Sequence, residues 1–169
     1  MVVMGMVIGA LGFIYQAYVD AQPSVLWPAI SGVPVWKMLI VMLIGFTLIP
    51  IPPSLDIRGW AEMHPLNGPG WSLFFEYIAN ILYGLFIRRF SKTALSILVF
   101  LAAAALVHLA VTNGGDVVGG WSLEPKQLHI GFARVMYPFF AGLLLFRLGK
   151  LIHVKNAFLW CSLLVILML

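Results

Sequence analysis

The chain has 169 residues, 62% of them hydrophobic and only 9% charged, with a mean hydropathy of +1.02. A soluble domain carries roughly a quarter charged residues, so this composition excludes a soluble globular protein and reads as an integral membrane protein. The formal net charge of +4 comes mostly from two basic loops and does not point to nucleic acid. The single Cys161 excludes an intrachain disulfide.

A spanning helix needs about 20 mostly apolar residues. The N-terminal run MVVMGMVIGALGFIYQAYVDA has no Lys or Arg ahead of it, unlike a signal peptide, and predicts a first transmembrane helix over residues 2–18. Gly5 and Gly9 lie four apart on that helix, with Gly12 close to the same face. Such spacing lets helices approach closely, or equally reflects how common glycine is in membrane helices. The next stretch, QPSVLWPAISGVP, is half apolar with three prolines and reads as a re-entrant or interfacial segment. Further helices are predicted over 36–51, 71–87, 93–111 and 131–148, and a sixth over 157–169 that is cut off by the end of the chain. The second and third are short for a full span, which implies inexact ends or a locally thin membrane. The expected fold is all-α, a polytopic transmembrane helix bundle with five complete helices and one truncated, in a single domain. The abrupt apolar start and stop predict a piece of something longer.

Basic residues set the expected topology. Arg88, Arg89 and Lys92 follow the third helix, and Arg147, Lys150 and Lys155 follow the fifth. The positive-inside rule puts loops 88–92 and 147–156 in the cytoplasm. Connections 52–70 and 112–130 then face outward, carrying Asp56, Glu62, Asp116 and Glu124 against only Arg58 and Lys126. The connection between the first two helices falls inside.

Ionisable groups at membrane depth carry a penalty of roughly 2.5–3.5 kcal/mol on insertion scales, so they face a protein interior or a wet cavity. Glu76 lies five residues into the third predicted helix, Arg134 three residues into the fifth, and His108 three before the end of the fourth. These ends share one membrane face, and a rise of about 1.5 Å per residue sets all three in one layer roughly 5–8 Å below it. His64 and His129 fall in the connections above. Asn80 follows Glu76 by one helical turn and extends a polar stripe. Two readings stay open: a Glu76–Arg134 pair that fixes packing, or the wall of a substrate cavity. Asn80 and the Trp71–Ser72 turn favour the cavity for Glu76, while Arg134 stands even between the two. His108 reads as a helix-end or bundle residue, and His64 and His129 as interfacial loop residues. No His, Cys, Asp or Glu set has metal-ligand spacing, and no GxSxG, P-loop or GxGxxG motif occurs. A second W-S-L at Trp121–Leu123, with no apolar helix directly after it, reads as coincidence.

The stretch GPGWSLFFEYIANILYGL resembles the acyltransferase type 3 family of polytopic membrane O-acyltransferases, whose members open a transmembrane helix with W-S-L-x-x-E. Here those positions are Trp71, Ser72, Leu73 and Glu76, and Asn80 is typical of a common branch. A second block, GFARVMYPFFAGLLLFRL, resembles a later family helix through Arg134, Phe139, Phe140 and Gly142. HPLN before the first block and GG before the second also fit, so the resemblance covers about His64 to Leu148. It implies transfer of an acyl group, acetyl above all, from acyl-CoA to a hydroxyl of a cell-envelope carbohydrate or glycolipid, in the bacterial inner membrane and without a bound cofactor. It implies site-lining roles for Trp71, Ser72, Glu76, Asn80 and Arg134, with His64 and His108 as weaker candidates and no metal.

The family's first two helices carry an Arg and a His regarded as essential for transfer, followed by an Arg-rich loop. The first helix here has neither Arg nor His. The resemblance therefore implies part of a family domain, inactive alone, whose partners are membrane lipid, the acceptor and the missing N-terminal helices. A His on those helices would act as general base on the acceptor hydroxyl. Glu76 would orient the acceptor or hold an arginine, and Arg134 would bind a donor phosphate or stabilise developing charge. Two other classes stay open: a transporter or flippase-like protein with Glu76 and Arg134 on its path, which predicts internal repeats that the chain lacks, and a non-catalytic remnant.

Overall fold

The computed structural model describes residues 2–20, 24–28, 30, 32–149 and 155–168. Lys150 and His153, and the Gln22–Pro23 part of the proline-rich connection, lie outside the described residues. The chain is all-helical: α1 (Val2–Tyr15), continued by a π turn (Gln16–Asp20), α2 (Val35–Gly45), α3 (Gly70–Leu85), α4 (Lys92–Thr112), α5 (Pro125–Leu148) and α6 (Ala157–Met168). Among the described residues three helices are long and apolar enough to cross a membrane, namely Val2–Asp20, Lys92–Thr112 and Pro125–Leu148. Their outward faces are themselves hydrocarbon: Phe100 is 72% exposed and Phe146 83%. Water would oppose so much bare apolar surface, whereas lipid tails would not.

Two predicted boundaries moved for local reasons. The second helix, expected over 36–51, stops at Gly45. Pro50, Pro52 and Pro53 follow, proline disfavours helical geometry in the residue before it, and Leu48 turns to φ +59°. Its 11 residues rise about 16 Å, half of a hydrocarbon core. The fifth helix, expected from Gly131, begins at Pro125, with proline in its first turn. Its opening residues Lys126, Gln127 and His129 are polar, which hid that turn from a search for apolar runs. The second W-S-L, Trp121–Leu123, thus does stand directly before a helix.

α5 is the central helix, packed along α4 and against α3. Phe75 of α3 is fully buried with Met63 and Val135 and meets Phe132 edge-on at 4.8 Å between ring centres. Gly131 makes room for it, since a Cβ there would lie 2.2 Å from the Phe75 ring. Nearer the other end, Ile87, Leu95 and Phe140 form a separate core joining α3, α4 and α5.

α1 and α2 pack with the segment that follows them, through Met6, Phe13, Trp27, Val41, Ile57 and Leu66. The glycine spacing on α1 has a definite use, but not between helices. A Cβ on Gly9 would stand 1.9 Å from the Leu66 carbonyl oxygen and one on Gly5 2.6 Å from Asn67 Oδ1, while Gly12 has nothing nearby. The glycines therefore admit a loop to the helix surface.

Polar contacts sort the connections by end. The Met63 N–H donates to the Trp121 carbonyl at 2.7 Å, joining the two acid-bearing connections. Arg147 at the end of α5 donates to the carbonyls of Ile87, Arg88 and Phe90, joining the basic ends. One expectation fails here. Arg58 Nε donates to the Leu26 carbonyl at 2.8 Å, its guanidinium lies 5.2 Å from the Trp27 ring centre, and Lys37 Nζ donates to the Asp56 carbonyl at 2.9 Å. The α1–α2 connection therefore touches the α2–α3 connection and does not lie across a membrane from it; α2 is too short to separate them.

Candidate functional site

The two helices that carry the quoted blocks, α3 and α5, start at the same end of the bundle and leave a cleft of about 370 Å³ lined by Glu76, Arg134, Val135, Pro138 and Phe139. Counted from the observed starts, Arg134 is the tenth residue of α5 and Glu76 the seventh of α3, so the cleft they share is set by how the helices pack and not by equal residue counts.

Glu76 and Arg134 share the cleft without forming an ion pair; among the described residues Arg58–Glu62, at 2.8 Å, is the one pair within bonding distance. The Arg134 guanidinium is held elsewhere. Its Nη1 donates to the Gly119 carbonyl at 2.8 Å, and its Cζ lies 4.7 Å from the Trp71 ring centre, inside cation–π range. The double glycine makes this grip possible. Gly119 and Gly120 adopt φ +144° and +102°, and a Cβ on Gly120 would stand 2.9 Å from Gly131 Cα and 3.1 Å from the Trp71 ring. Gln127 Oε1 accepts from the Gly120 N–H at 2.6 Å and holds the turn to α5.

Of the other sequence candidates, two serve their own helix. Ser72 Oγ donates to the Pro69 carbonyl at 3.0 Å, and Asn80 Nδ2 donates to the Glu76 main-chain carbonyl at 2.9 Å. His108 is exposed and does not line the cleft, and His129 is exposed on α5 itself, not in a connection. Among the described residues no three His, Cys, Asp or Glu side chains gather as a metal set.

His64 overturns its reading as an interfacial residue. It is 3% exposed, and neither ring nitrogen has a hydrogen-bond partner. Its ring lies against Phe74, and the missing side chain of Gly70 leaves the space it fills. Desolvation pushes its pKa down to about 4.

Val135 and Pro138 are the cleft residues that the sequence reading did not single out. Pro138 sits four residues after Arg134 and has no N–H, so it cannot supply the usual helical donor to the Arg134 carbonyl. A proline one turn after an arginine in an apolar run was the available signal.

No protein-family model, curated protein or solved structure matches this chain.

Proposed function

We propose that this chain is part of a polytopic integral membrane O-acyltransferase of the bacterial inner membrane, with loops 88–92 and 147–156 in the cytoplasm. In this reading it helps move an acyl group, acetyl above all, from acyl-CoA to a hydroxyl of a cell-envelope carbohydrate or glycolipid. One observation carries the reading: Glu76 of the W-S-L-x-x-E block and Arg134 and Phe139 of the later block line one cleft. Trp71 of the first block stacks on Arg134 of the second. Ionisable groups at membrane depth pair with one another or with backbone carbonyls. Here Gly119 and Trp71 hold the base, and the acid stays open, as suits a polar acceptor better than a packing lock.

The chemistry follows from the donor inventory. An acceptor hydroxyl donates to the Glu76 carboxylate. Arg134 uses one of its five N–H groups on Gly119, and others remain for a donor phosphate or the oxyanion that forms at the thioester carbonyl. The proton of the attacking hydroxyl passes to a general base on other helices of the same domain. The hydroxyl oxygen bonds to the acyl carbon, the C–S bond breaks, and the CoA thiolate takes up the proton. Alone, the chain is inactive in this scheme.

The test uses membranes that carry the open reading frame containing this chain, supplied with radiolabelled acetyl-CoA. Glu76→Gln and Arg134→Ala are each expected to lower label in carbohydrate or glycolipid by about 10²-fold per folded protein, the effect of losing one preorganised charge-stabilising group. Unchanged transfer in both variants would overturn the cleft role. No label transferred by the unaltered protein would overturn acyl transfer itself.

A further inference from the structure

A second cleft, of about 400 Å³, lies between the end of α3, the first turns of α4 and the middle of α5. Leu82, Phe86, Leu98, Phe132, Met136 and Phe140 are among its walls, and every lining residue is a hydrocarbon or thioether side chain. Along α5 it extends from Phe132 to Phe140, about 12 Å at helical rise. The length and all-apolar lining of this slot suit a stretch of flexible hydrocarbon chain.

Cationic residues flank this slot in the chain. Phe86, Ile87 and Phe90 contribute to the slot, and between them in the chain stand Arg88 and Arg89, with Lys92 opening α4; all three are exposed. No acid occurs from Tyr77 to Gly115, and none of the three cations has an ion-pair partner among the described residues. Arg147 has a different part. Its Nη2 donates to the carbonyls of Ile87 and Arg88 at 3.0 Å each, and its Nη1 to that of Phe90. Arg147 thereby pins the turn Ile87–Arg89 to α5, while the guanidinium groups of Arg88 and Arg89 have no partner among the described residues.

We infer that this is a binding site for one anionic glycerophospholipid, its headgroup phosphate on Arg88, Arg89 and Lys92 and one acyl chain in the slot. Unpaired cations at a helix end attract an anionic headgroup. An all-apolar slot that starts within one helical turn of them calls for a tail joined to that headgroup. A neutral lipid would leave the cations uncompensated, and a free anion would leave the slot unused. The inference needs the helices to sit in lipid but does not need acyl transfer, so either proposal can fail without the other.

The full chain is placed in nanodiscs of phosphatidylcholine with or without phosphatidylglycerol, and bound lipid is read by native mass spectrometry and thermal midpoint. One phosphatidylglycerol is expected to remain on the protein, with a higher midpoint than in phosphatidylcholine alone. The combined Arg88→Ala, Arg89→Ala, Lys92→Ala variant is expected to retain at least tenfold less phosphatidylglycerol, with its phosphatidylcholine midpoint unchanged. Arg88→Lys with Arg89→Lys is expected to keep most of the binding, which separates lost charge from lost fold. Leu98→Trp, which fills the slot, is expected to lower retention at least tenfold with all cations intact. Equal retention of the two lipids, or wild-type retention by the triple variant, overturns the headgroup assignment. Retention untouched by Leu98→Trp, or full displacement by glycerol phosphate, overturns the acyl slot.

Discussion

His64 is a buried imidazole with two unpartnered nitrogens, and this makes the fold sensitive to acid. Its pKa falls from 6.5 to about 4 because burial disfavours the charged ring. The fold therefore holds neutral His64, whereas the unfolded chain takes up a proton below its own pKa. Stability is complete above about pH 6.5 and is lost as the pH falls from there towards 4, by ~3 kcal/mol at most. Glu62, pushed up by burial against the pull of Arg58, works in the opposite sense, so the histidine's share is the difference between wild type and His64→Leu. In detergent, unfolding from pH 8 to pH 4 is expected to show a steeper acid loss in wild type. His64→Leu should also gain about 1 kcal/mol at neutral pH, since it no longer buries unpaired nitrogens. Parallel pH profiles for the two proteins would sink the idea. The surrounding HPLNGPG reads as a surface turn because its residues are turn formers. The space left by Gly70 and the cover from Phe74 belong to the packed chain.

Gly9 and Gly12 look alike in sequence and differ in the packed chain. A methyl on Gly9 meets the Leu66 carbonyl, backbone that has no rotamer to change, so Gly9→Ala must lift α1 off that segment at about 2–3 kcal/mol. Gly12→Ala adds a methyl to open space and is expected to be neutral or stabilising by up to about 1 kcal/mol through helix propensity. Thermal unfolding of the two variants checks the order, and equal effects would show that the glycines only reflect composition. Helix existence was legible throughout, since each predicted apolar run overlaps an observed helix. Boundaries were legible only where polarity and helicity change together: α4 ends within a residue of expectation, whereas α5 starts six residues early because its first turn is helical and polar.

The proposed orientation of the bundle makes a prediction about sidedness. Arg147 ties the end of α5 to the turn after α3, while Met63 ties to Trp121 at the other end. In a Cys161→Ser background, cysteine at Ser91 is expected to resist an impermeant maleimide added to intact cells and to react after lysis. Cysteines at Ser54 and Asp116 are expected to react from outside. Leu26→Cys should label with them, because the Leu26 carbonyl is bound by Arg58. Ser91 and Ser54 labelling from the same side would remove the proposed topology.

Residue order alone dictates an all-helical chain, because runs this apolar can satisfy their backbone groups in lipid only by folding into helices. It also puts Glu76 and Arg134 in the early turns of their helices, but as the seventh and tenth residues they differ by about 4.5 Å of rise, so the cleft they share is a product of packing. Tertiary packing decided the partners: Arg134 on Gly119 and Trp71, His64 sealed behind Phe74, Gly9 against a loop. Periodicity encodes face and depth, whereas a partner depends on which distant segment leaves a gap or offers a carbonyl, and the chain must be packed before that gap exists.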